Sequence, residues 1–182
     1  MDTQDHELVA RIISGNDTAA FGELIRRHQS HVRNFLRKLS GDMALADDLA
    51  QDCFLHAWDK MSTYSGHGTF IGWLLKVAYT TFLQSKRRSK RYAEILNEVG
   101  QVAEAESRSY TQPNEEVTDL DKLLAILDEE ERAIMVMSYA CGLSHREISD
   151  ATDMPVGSVK SVIHRSKEKI RSDFELKRYT HG

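Results

Sequence analysis

The chain has 182 residues and a mass of 20.7 kDa, which is enough for one ordinary domain or two small ones. Hydrophobic residues make up 41% of it and charged residues 29%, a balance that excludes collagen-like and wholly disordered proteins. Its formal net charge of −4 argues against a general polycation that coats nucleic acid.

Apolar residues recur every three or four positions through the first half of the chain, which predicts four helices and no sheet. The first is a short apolar stripe that stops at Gly15. Asn16 or Asp17 is then placed to cap the second helix. The second helix is expected over 21–39 and the third over 45–61. A polar loop over 62–69 leads into a fourth helix over about 70–88.

The composition changes between residues 93 and 119. Seven acidic residues and one basic residue, Arg108, give this segment a net charge of −6, and large apolar residues become scarce. Such a segment cannot bury enough surface to offset the entropy of ordering it. It is predicted to be an acidic linker, and a short surface helix near 92–101 is compatible with that interpretation.

Helical periodicity returns at Leu120. Asp128 is placed to cap a helix that ends near Tyr139, and Ser144 begins an S-x-x-E capping box. A short helix over 144–151, a break over 152–154 and a long final helix complete the chain. The sequence therefore predicts an all-α fold of two small helical domains, over 1–92 and 120–182, joined by the linker 93–119.

A short helix, a break and a longer helix are typical of a helix-turn-helix. The inner face of the last helix is predicted to carry Val156, Val159, Ile163 and Ile170. The polar, basic outer face would fit the major groove of DNA. Its predicted contact residues are Ser158, Lys160, Ser161, His164, Arg165 and Lys167. An ordinary helical hairpin with a solvated charged face is the alternative.

A second basic surface is predicted between Lys76 and Tyr92, where six basic residues occur and no acidic one. Cations neutralise phosphates and neighbouring aromatic rings stack on unpaired bases, a combination typical of single-strand binding. The glycine-containing loop over 66–68 is flexible enough to shape a pocket for an extruded base. Phe70 and Trp73 share the apolar face of the helix, which favours core packing for both.

A third surface follows from the third helix, where Asp48, Gln51, Asp52 and Leu55 fall along one exposed edge. A mixed acidic and apolar helix face suits a partner coiled coil.

No pattern in the sequence indicates catalysis. The chain has no P-loop, no G-x-S-x-G and no H-E-x-x-H motif, and its carboxylates are not paired for acid–base chemistry. His28-x-x-His31 and Cys53-x-x-His56 have a spacing that can hold zinc, but such pairs arise by chance on helices. We therefore predict no enzyme, no cofactor, no metal site and no small-molecule substrate.

The chain is also expected to be cytoplasmic, with free thiols and no direct membrane insertion. Its first residues lack the apolar core of a signal peptide, and no apolar run approaches the roughly 20 residues that span a bilayer. The two cysteines, Cys53 and Cys141, are too few for a disulfide framework and are expected to pack as small apolar groups.

Three motifs, in this order and spacing, resemble those of bacterial sigma factors of the extracytoplasmic-function group. The likeness covers about 19–171 apart from the acidic middle. The motifs are Asp47-Asp48-Leu49-Ala50-Gln51-Asp52-Cys53-Phe54, then Phe70-x-x-Trp73-Leu74 with Lys86-Arg87-Arg88 behind it, then Glu147-Ile148-Ser149 with Pro155-Val156-Gly157-Ser158-Val159-Lys160-Ser161.

The resemblance implies a stress-responsive subunit that binds core RNA polymerase, directs it to promoter DNA and is held inactive by an anti-sigma factor. The outer face of the last helix would read the −35 element. The polymerase clamp would contact Asp48, Leu49, Gln51, Asp52 and Leu55. The −10 element would contact Tyr64, Gly66, His67, Trp73, Lys76, Thr80, Lys86, Arg87 and Arg88.

The two apolar helix faces over 45–61 and 123–139 are expected to be covered by a partner, since small domains bury little surface of their own. Two alternatives stay open, a stand-alone helix-turn-helix regulator and a helical adaptor that does not bind DNA. Three positions depart from the family's usual residues: Thr80 stands in place of Asn, Ser65 in place of Arg, and Val162 in place of Arg. These departures leave the promoter sequence undetermined, but they do not change the resemblance to the family.

Overall fold

The computed structural model describes residues 3–98 and 118–180, with side chains over 4–96 and 118–175. Within those stretches every regular element is helical, which confirms the all-α prediction. The α-helices are α1 (Thr3–Gly15), α2 (Thr18–Ser40), α3 (Met43–Asp59), α4 (Phe70–Glu98), α5 (Asp119–Leu124), α6 (Glu129–Tyr139), α7 (His145–Thr152) and α8 (Val156–Thr180). A short 3-10 helix, Met61–Thr63, follows α3.

The helix caps form where the sequence predicts them. The Asp17 carboxylate accepts a hydrogen bond from the Ala20 amide at 2.9 Å and so caps α2, which settles the choice between Asn16 and Asp17. Gly41 ends α2 in the left-handed conformation, with φ of 68°. Asp128 and Ser144 each form a capping box at the start of α6 and α7.

Helices α1 to α4 form one bundle around a continuous apolar core. Val32, Phe35 and Leu36 of α2 are fully buried, and α3 and α4 pack against this helix. Cys53 also lies in this core, where burial raises the pKa of its thiol to about 12. The thiol is therefore protonated at neutral pH and packs as a small apolar group, as expected.

Helix α4 is longer than the sequence predicts. It was expected to end near Arg88 but continues to Glu98. Residues 84–96 include neither glycine nor proline, so nothing interrupts the propagation of the helix. The extension takes up much of the segment where a separate surface helix was expected. The rest of the predicted acidic linker, residues 99–117, lies outside the described residues.

Helices α5 to α8 form the second bundle. Val159, Val162 and Ile163 of α8 are buried against α6 and α7. The predicted inner face was therefore wrong at two positions: Val156, at the first turn of α8, is 37% exposed, whereas Val162 is 2% exposed. A helix turns by about 100° per residue, which places Val162 beside Val159 and Ile163.

Residues 133–137 of α6 are all buried, because α6 packs against α2 on one side and α8 on the other. The expectation that a partner covers the apolar face over 123–139 was therefore wrong for α6, since the chain covers that face itself. The two bundles are in direct contact through α2 with α6 and through α4 with α7.

In each of the two pairs with zinc-compatible spacing, one histidine has another partner. His28 Nε2 lies 2.8 Å from a carboxylate oxygen of the buried Asp5, and His56 Nδ1 lies 3.1 Å from the Thr81 hydroxyl. In the described part of the chain, no three His, Cys, Asp or Glu side chains are grouped as metal ligands. None of the described helices is long and apolar enough to cross a membrane.

Candidate nucleic-acid and polymerase surfaces

The outer face of α8 is open. Lys160, Ser161, His164, Arg165 and Lys167 are exposed, and Ser158 is half-buried at the start of the same face. The Ser161 hydroxyl donates to the Gly157 carbonyl of its own helix at 3.0 Å. A surface of this composition can offer cations to phosphates and polar groups to base edges.

Two side-chain contacts join α8 to α6. Lys169 Nζ donates to both carboxylate oxygens of Glu131, at 2.6 and 2.7 Å, and Glu131 is itself the reciprocal member of the α6 capping box. Near the end of the predicted contact face, Lys167 Nζ lies 5.2 Å from the centroid of the Tyr139 ring, a cation–π contact. Nothing in the sequence marked Tyr139 or Glu131 as support for this surface.

The aromatic residues before and within α4 form a cluster. Tyr64 is 5% exposed, and its ring centroid lies 5.6 Å from that of Phe70 and 5.7 Å from that of Trp73. Phe70 is buried as expected, and Trp73 is half-buried at the edge of the core. Burial raises the pKa of Tyr64, and its hydroxyl donates to the Gly68 carbonyl at 3.3 Å. Tyr64 therefore supports the loop in this conformation.

The loop between Tyr64 and α4 exposes polar atoms. Gly66 and Gly68 both have positive φ, 76° and 79°, which favours glycine at each position. His67 is exposed between them. Further along α4, Thr80 is half-buried and its hydroxyl donates to the Lys76 carbonyl at 2.8 Å. Arg87 and Arg88 are fully on the surface, whereas Lys76 is half-buried.

The edge of α3 exposes three of its predicted contact residues. Asp48, Gln51 and Leu55 are exposed, with Leu55 at 66%, and Asp52 is half-buried beside them. Leu49 differs from these residues, because it is 2% exposed and packs in the core. In this conformation Leu49 supports the helix from inside and its side chain does not reach the surface.

Two sigma-70 family models match the chain, one for region 2 over residues 24–92 and one for region 4 over residues 118–170. Together these stretches make up about two-thirds of the chain, the first within the bundle of α1 to α4 and the second within that of α5 to α8. The chain belongs to the sigma-70 family. The α3 edge and the α4 surface thus lie in region 2, and the α8 face lies in region 4.

This sigma-70 protein is similar to curated sigma factors of the extracytoplasmic-function (ECF) group. It is 33% identical over 156 residues to the ECF RNA polymerase sigma factor SigE of Mycolicibacterium smegmatis, covering 84% of this chain and 60% of that one. It is 27% identical over 179 residues to the ECF RNA polymerase sigma-E factor of Escherichia coli, covering 91% and 92%.

A solved structure shares the fold. The sigma factor RpoE of Bartonella quintana, in a complex with the anti-sigma factor NepR, matches with a TM-score of 0.67 at 22% identity. The match covers 86% of this chain and 97% of that one.

Region 2 and region 4 of this chain are joined by polar contacts that the sequence did not reveal. Lys76 of α4 donates to the Asp153 carboxylate at 2.7 Å and to the Asp150 carbonyl at 2.6 Å. Lys86 pairs with Glu129 at 2.6 Å. The partners lie 43 to 77 positions apart in the chain, so no local sequence signal could have found them.

Glu147 is a further member of this interface. The Thr69 hydroxyl and amide both donate to its carboxylate, which also accepts from the Ser144 amide and hydroxyl of the α7 capping box. Partial burial by itself would raise the pKa of Glu147, but these hydrogen bonds outweigh it and the net pKa is lowered. The carboxylate is therefore charged at neutral pH, where it bridges α7 to the start of α4.

A cavity of about 620 Å³ lies between the regions. Its walls include His67, Trp73 and Lys76 of region 2 and Asp153 and Pro155 of region 4. The predicted −10 contact residues thus fall into two groups. Some line this cavity or pair across the interface, whereas Arg87 and Arg88 stay uncovered on α4.

Proposed function

We propose that the chain is an alternative sigma factor that binds core RNA polymerase and directs it to specific promoters. One observation carries this proposal: a single small chain joins a helix-turn-helix with an open polar and basic outer face to a second bundle with an open acidic and apolar helix edge. A stand-alone DNA-binding regulator has no need of the second surface, and an adaptor has no need of the first.

We assign a role to each surface. The outer face of α8, centred on Lys160 and Arg165, contacts the −35 element as duplex. The loop over 65–69 and the basic face of α4 contact the melted −10 element, with Arg87 and Arg88 on its phosphates, and the buried Tyr64 supports the loop. Asp48, Gln51, Asp52 and Leu55 contact the polymerase clamp.

An anti-sigma factor is the proposed inhibitor. The solved relative from Bartonella quintana carries one, and both regions of the present chain expose surfaces that such a protein could cover. We infer that the chain works in the cytoplasm, alongside polymerase and promoter DNA. Its role is to bind and position DNA, and the proposal assigns it no catalytic step.

Transcription with purified components tests the proposal. The chain is mixed with core RNA polymerase and a library of promoter fragments, and the transcripts are sequenced. We expect initiation from a defined promoter class only when the chain is present. Failure of the chain to associate with core polymerase, or to direct any initiation, would overturn the proposal.

A variant of α8 tests the −35 assignment in the same assay. Arg165→Ala should lower initiation about tenfold, because a good base contact is worth roughly 1–3 kcal/mol. Arg171→Ala is the matched control, since Arg171 is an exposed arginine of the same helix that pairs with Glu168 at 2.8 Å. Equal effects of the two variants would contradict the assignment.

A further inference from the structure

Both lysines among the predicted −10 contacts pair with carboxylates of region 4. Lys76 binds Asp153 and the end of α7, and Lys86 binds Glu129 at the start of α6. Both lysines are therefore already paired with a carboxylate oxygen. Carboxylates and phosphates accept the same charge-assisted N–H donors.

Other contacts also join region 2 to region 4. The Glu147 carboxylate accepts from Thr69 at one end of α7. Lys38 Nζ lies 3.4 Å from an Asp121 oxygen, and Arg132 donates to the Leu39 carbonyl at 3.5 Å where α2 meets α6. Burial and the carboxylates of Glu130, Glu129 and Asp128 raise the pKa of Tyr79 to about 12, which shows how closely the acidic start of α6 faces α4.

The −35 surface differs from the −10 surface, because region 2 does not cover it. Within the described residues, neither Lys160 nor Arg165 has a carboxylate partner, and both side chains are exposed. The contacts between the regions thus cover one proposed DNA surface and leave the other open.

We propose that the free chain masks its own −10 surface. Asp153 binds Lys76 and Glu129 binds Lys86, so that these carboxylates take the places of DNA phosphates. Region 4 and melted promoter DNA then compete for the same two lysines. This inference rests on the proposed function and adds to it an intramolecular control. Each ion pair is partly exposed and individually weak, so the masking is reversible and a larger partner can open it.

Neutralising the two carboxylates tests the masking. Glu129→Gln with Asp153→Asn keeps the side-chain shapes, and Asn tolerates the left-handed conformation of Asp153, whose φ is 56°. The free full-length variant should bind a short fluorescein-labelled single-stranded oligonucleotide about three- to tenfold more tightly than the wild type, since one exposed pair is worth up to roughly a factor of five. Its radius of gyration from small-angle X-ray scattering should also increase.

The matched control removes two charges from neighbouring positions. Glu130→Gln with Asp150→Asn makes the same change of net charge close to the same two positions, and neither carboxylate has an ion-pair partner among the described residues. We expect its oligonucleotide affinity to stay within about twofold of the wild type and its radius of gyration to stay unchanged. An equal gain of affinity in both variants would overturn the masking, since net charge alone would explain it.

Lys38→Gln provides a second test, with the opposite change of charge. It removes the Lys38–Asp121 contact between the regions, so masking predicts tighter oligonucleotide binding. Simple loss of a positive charge predicts weaker binding. Weaker binding by this variant would overturn the inference, and a circular dichroism melt checks that it remains folded.

Transcription with core polymerase separates the two claims. If the neutralised variant expands and binds the oligonucleotide more tightly, the masking stands, whether or not core polymerase responds to the chain. Absence of initiation with core polymerase would then count against the proposed function alone. Unchanged oligonucleotide affinity, with initiation intact, would overturn the masking and leave the proposed function standing.

Discussion

Leu49 and Leu55 lie on the same helix and have opposite surroundings. Leu49 is 2% exposed among core residues, whereas Leu55 is 66% exposed beside Gln51. At the scale of single residues, burial therefore separates side chains that hold α3 in place from those that are free to contact a partner. The predicted clamp contacts include both leucines, and the sequence did not separate their roles.

Truncating each leucine tests this separation. Leu49→Ala should lower the free energy of unfolding by about 2–5 kcal/mol, because it leaves a cavity in the core. Leu55→Ala should change it by less than about 0.5 kcal/mol but weaken binding to core polymerase. Urea unfolding and an anisotropy assay with labelled chain measure the two effects. A stable Leu49→Ala variant would show that the side chain is not part of the core.

The two aspartates on the exposed edge of α3 are tested by a separate measurement. Asp48→Ala with Asp52→Ala should weaken binding to core polymerase about tenfold or more and leave the melting temperature within experimental error, because neither side chain is buried. Asp59→Ala, at the exposed end of α3, is the control for lost charge. Wild-type affinity in the double variant would remove these carboxylates from the proposed interface.

Val162 shows how a departure from the family pattern has a structural consequence. It stands where an arginine is usual, but its side chain is 2% exposed against α6 and α7. Val162→Arg should therefore destabilise region 4 by about 3 kcal/mol or more, because it forces a charge into an apolar site. Thermal melting measures the loss, with exposed His164→Arg as the control. An unchanged melting temperature would mean that the helix rotates to expose position 162.

At the scale of whole helices, local chemistry sets where each element begins. Caps at Asp17, Asp128 and Ser144 form as predicted, since a cap depends on residues only three positions apart. The predicted end of α4 was wrong because a basic, polar run of residues can either continue a helix or follow its end. There the sequence contains no stop signal before Gly100.

The capping box of α7 is expected to contribute measurably to the stability of the chain. Ser144→Ala should destabilise the chain by about 1 kcal/mol, because the Glu147 amide loses its acceptor at the first turn. It should also loosen the interface between the regions, since the same Glu147 accepts from Thr69. Hydrogen exchange over α7 measures both effects, with exposed Ser172→Ala as the control. Equal exchange in the two variants would contradict this role of the cap.

At the scale of the whole molecule, charged contacts join two bundles that are each small. The pairs of Lys76 and Lys86 with region 4 and the contacts of Glu147 all connect residues far apart in sequence. Exposed pairs of this kind contribute little individually, so the closed arrangement depends on their number and on the apolar contact of α2 with α6.

The pH dependence of this interface follows from Glu147. Its pKa in the folded chain is lowered from an ordinary value of 4.5, so its contribution to stability is fully present above that value. The contribution is lost as the pH falls through the lowered pKa of the folded state. The difference in melting temperature between wild type and Glu147→Gln should therefore be largest near neutral pH and shrink in acid. A difference that stays constant with pH would contradict this account.

The sequence by itself determined the helices, most of their ends, the helix-turn-helix and the family, because each depends on residues a few positions apart. Periodicity and capping residues carry that information directly. Only the tertiary structure decided that Val162 faces inward, that Leu49 is core and that region 4 holds Lys76 and Lys86. Those outcomes depend on how the two bundles pack together, and contacts between residues 43 to 77 positions apart leave no periodic pattern in the sequence.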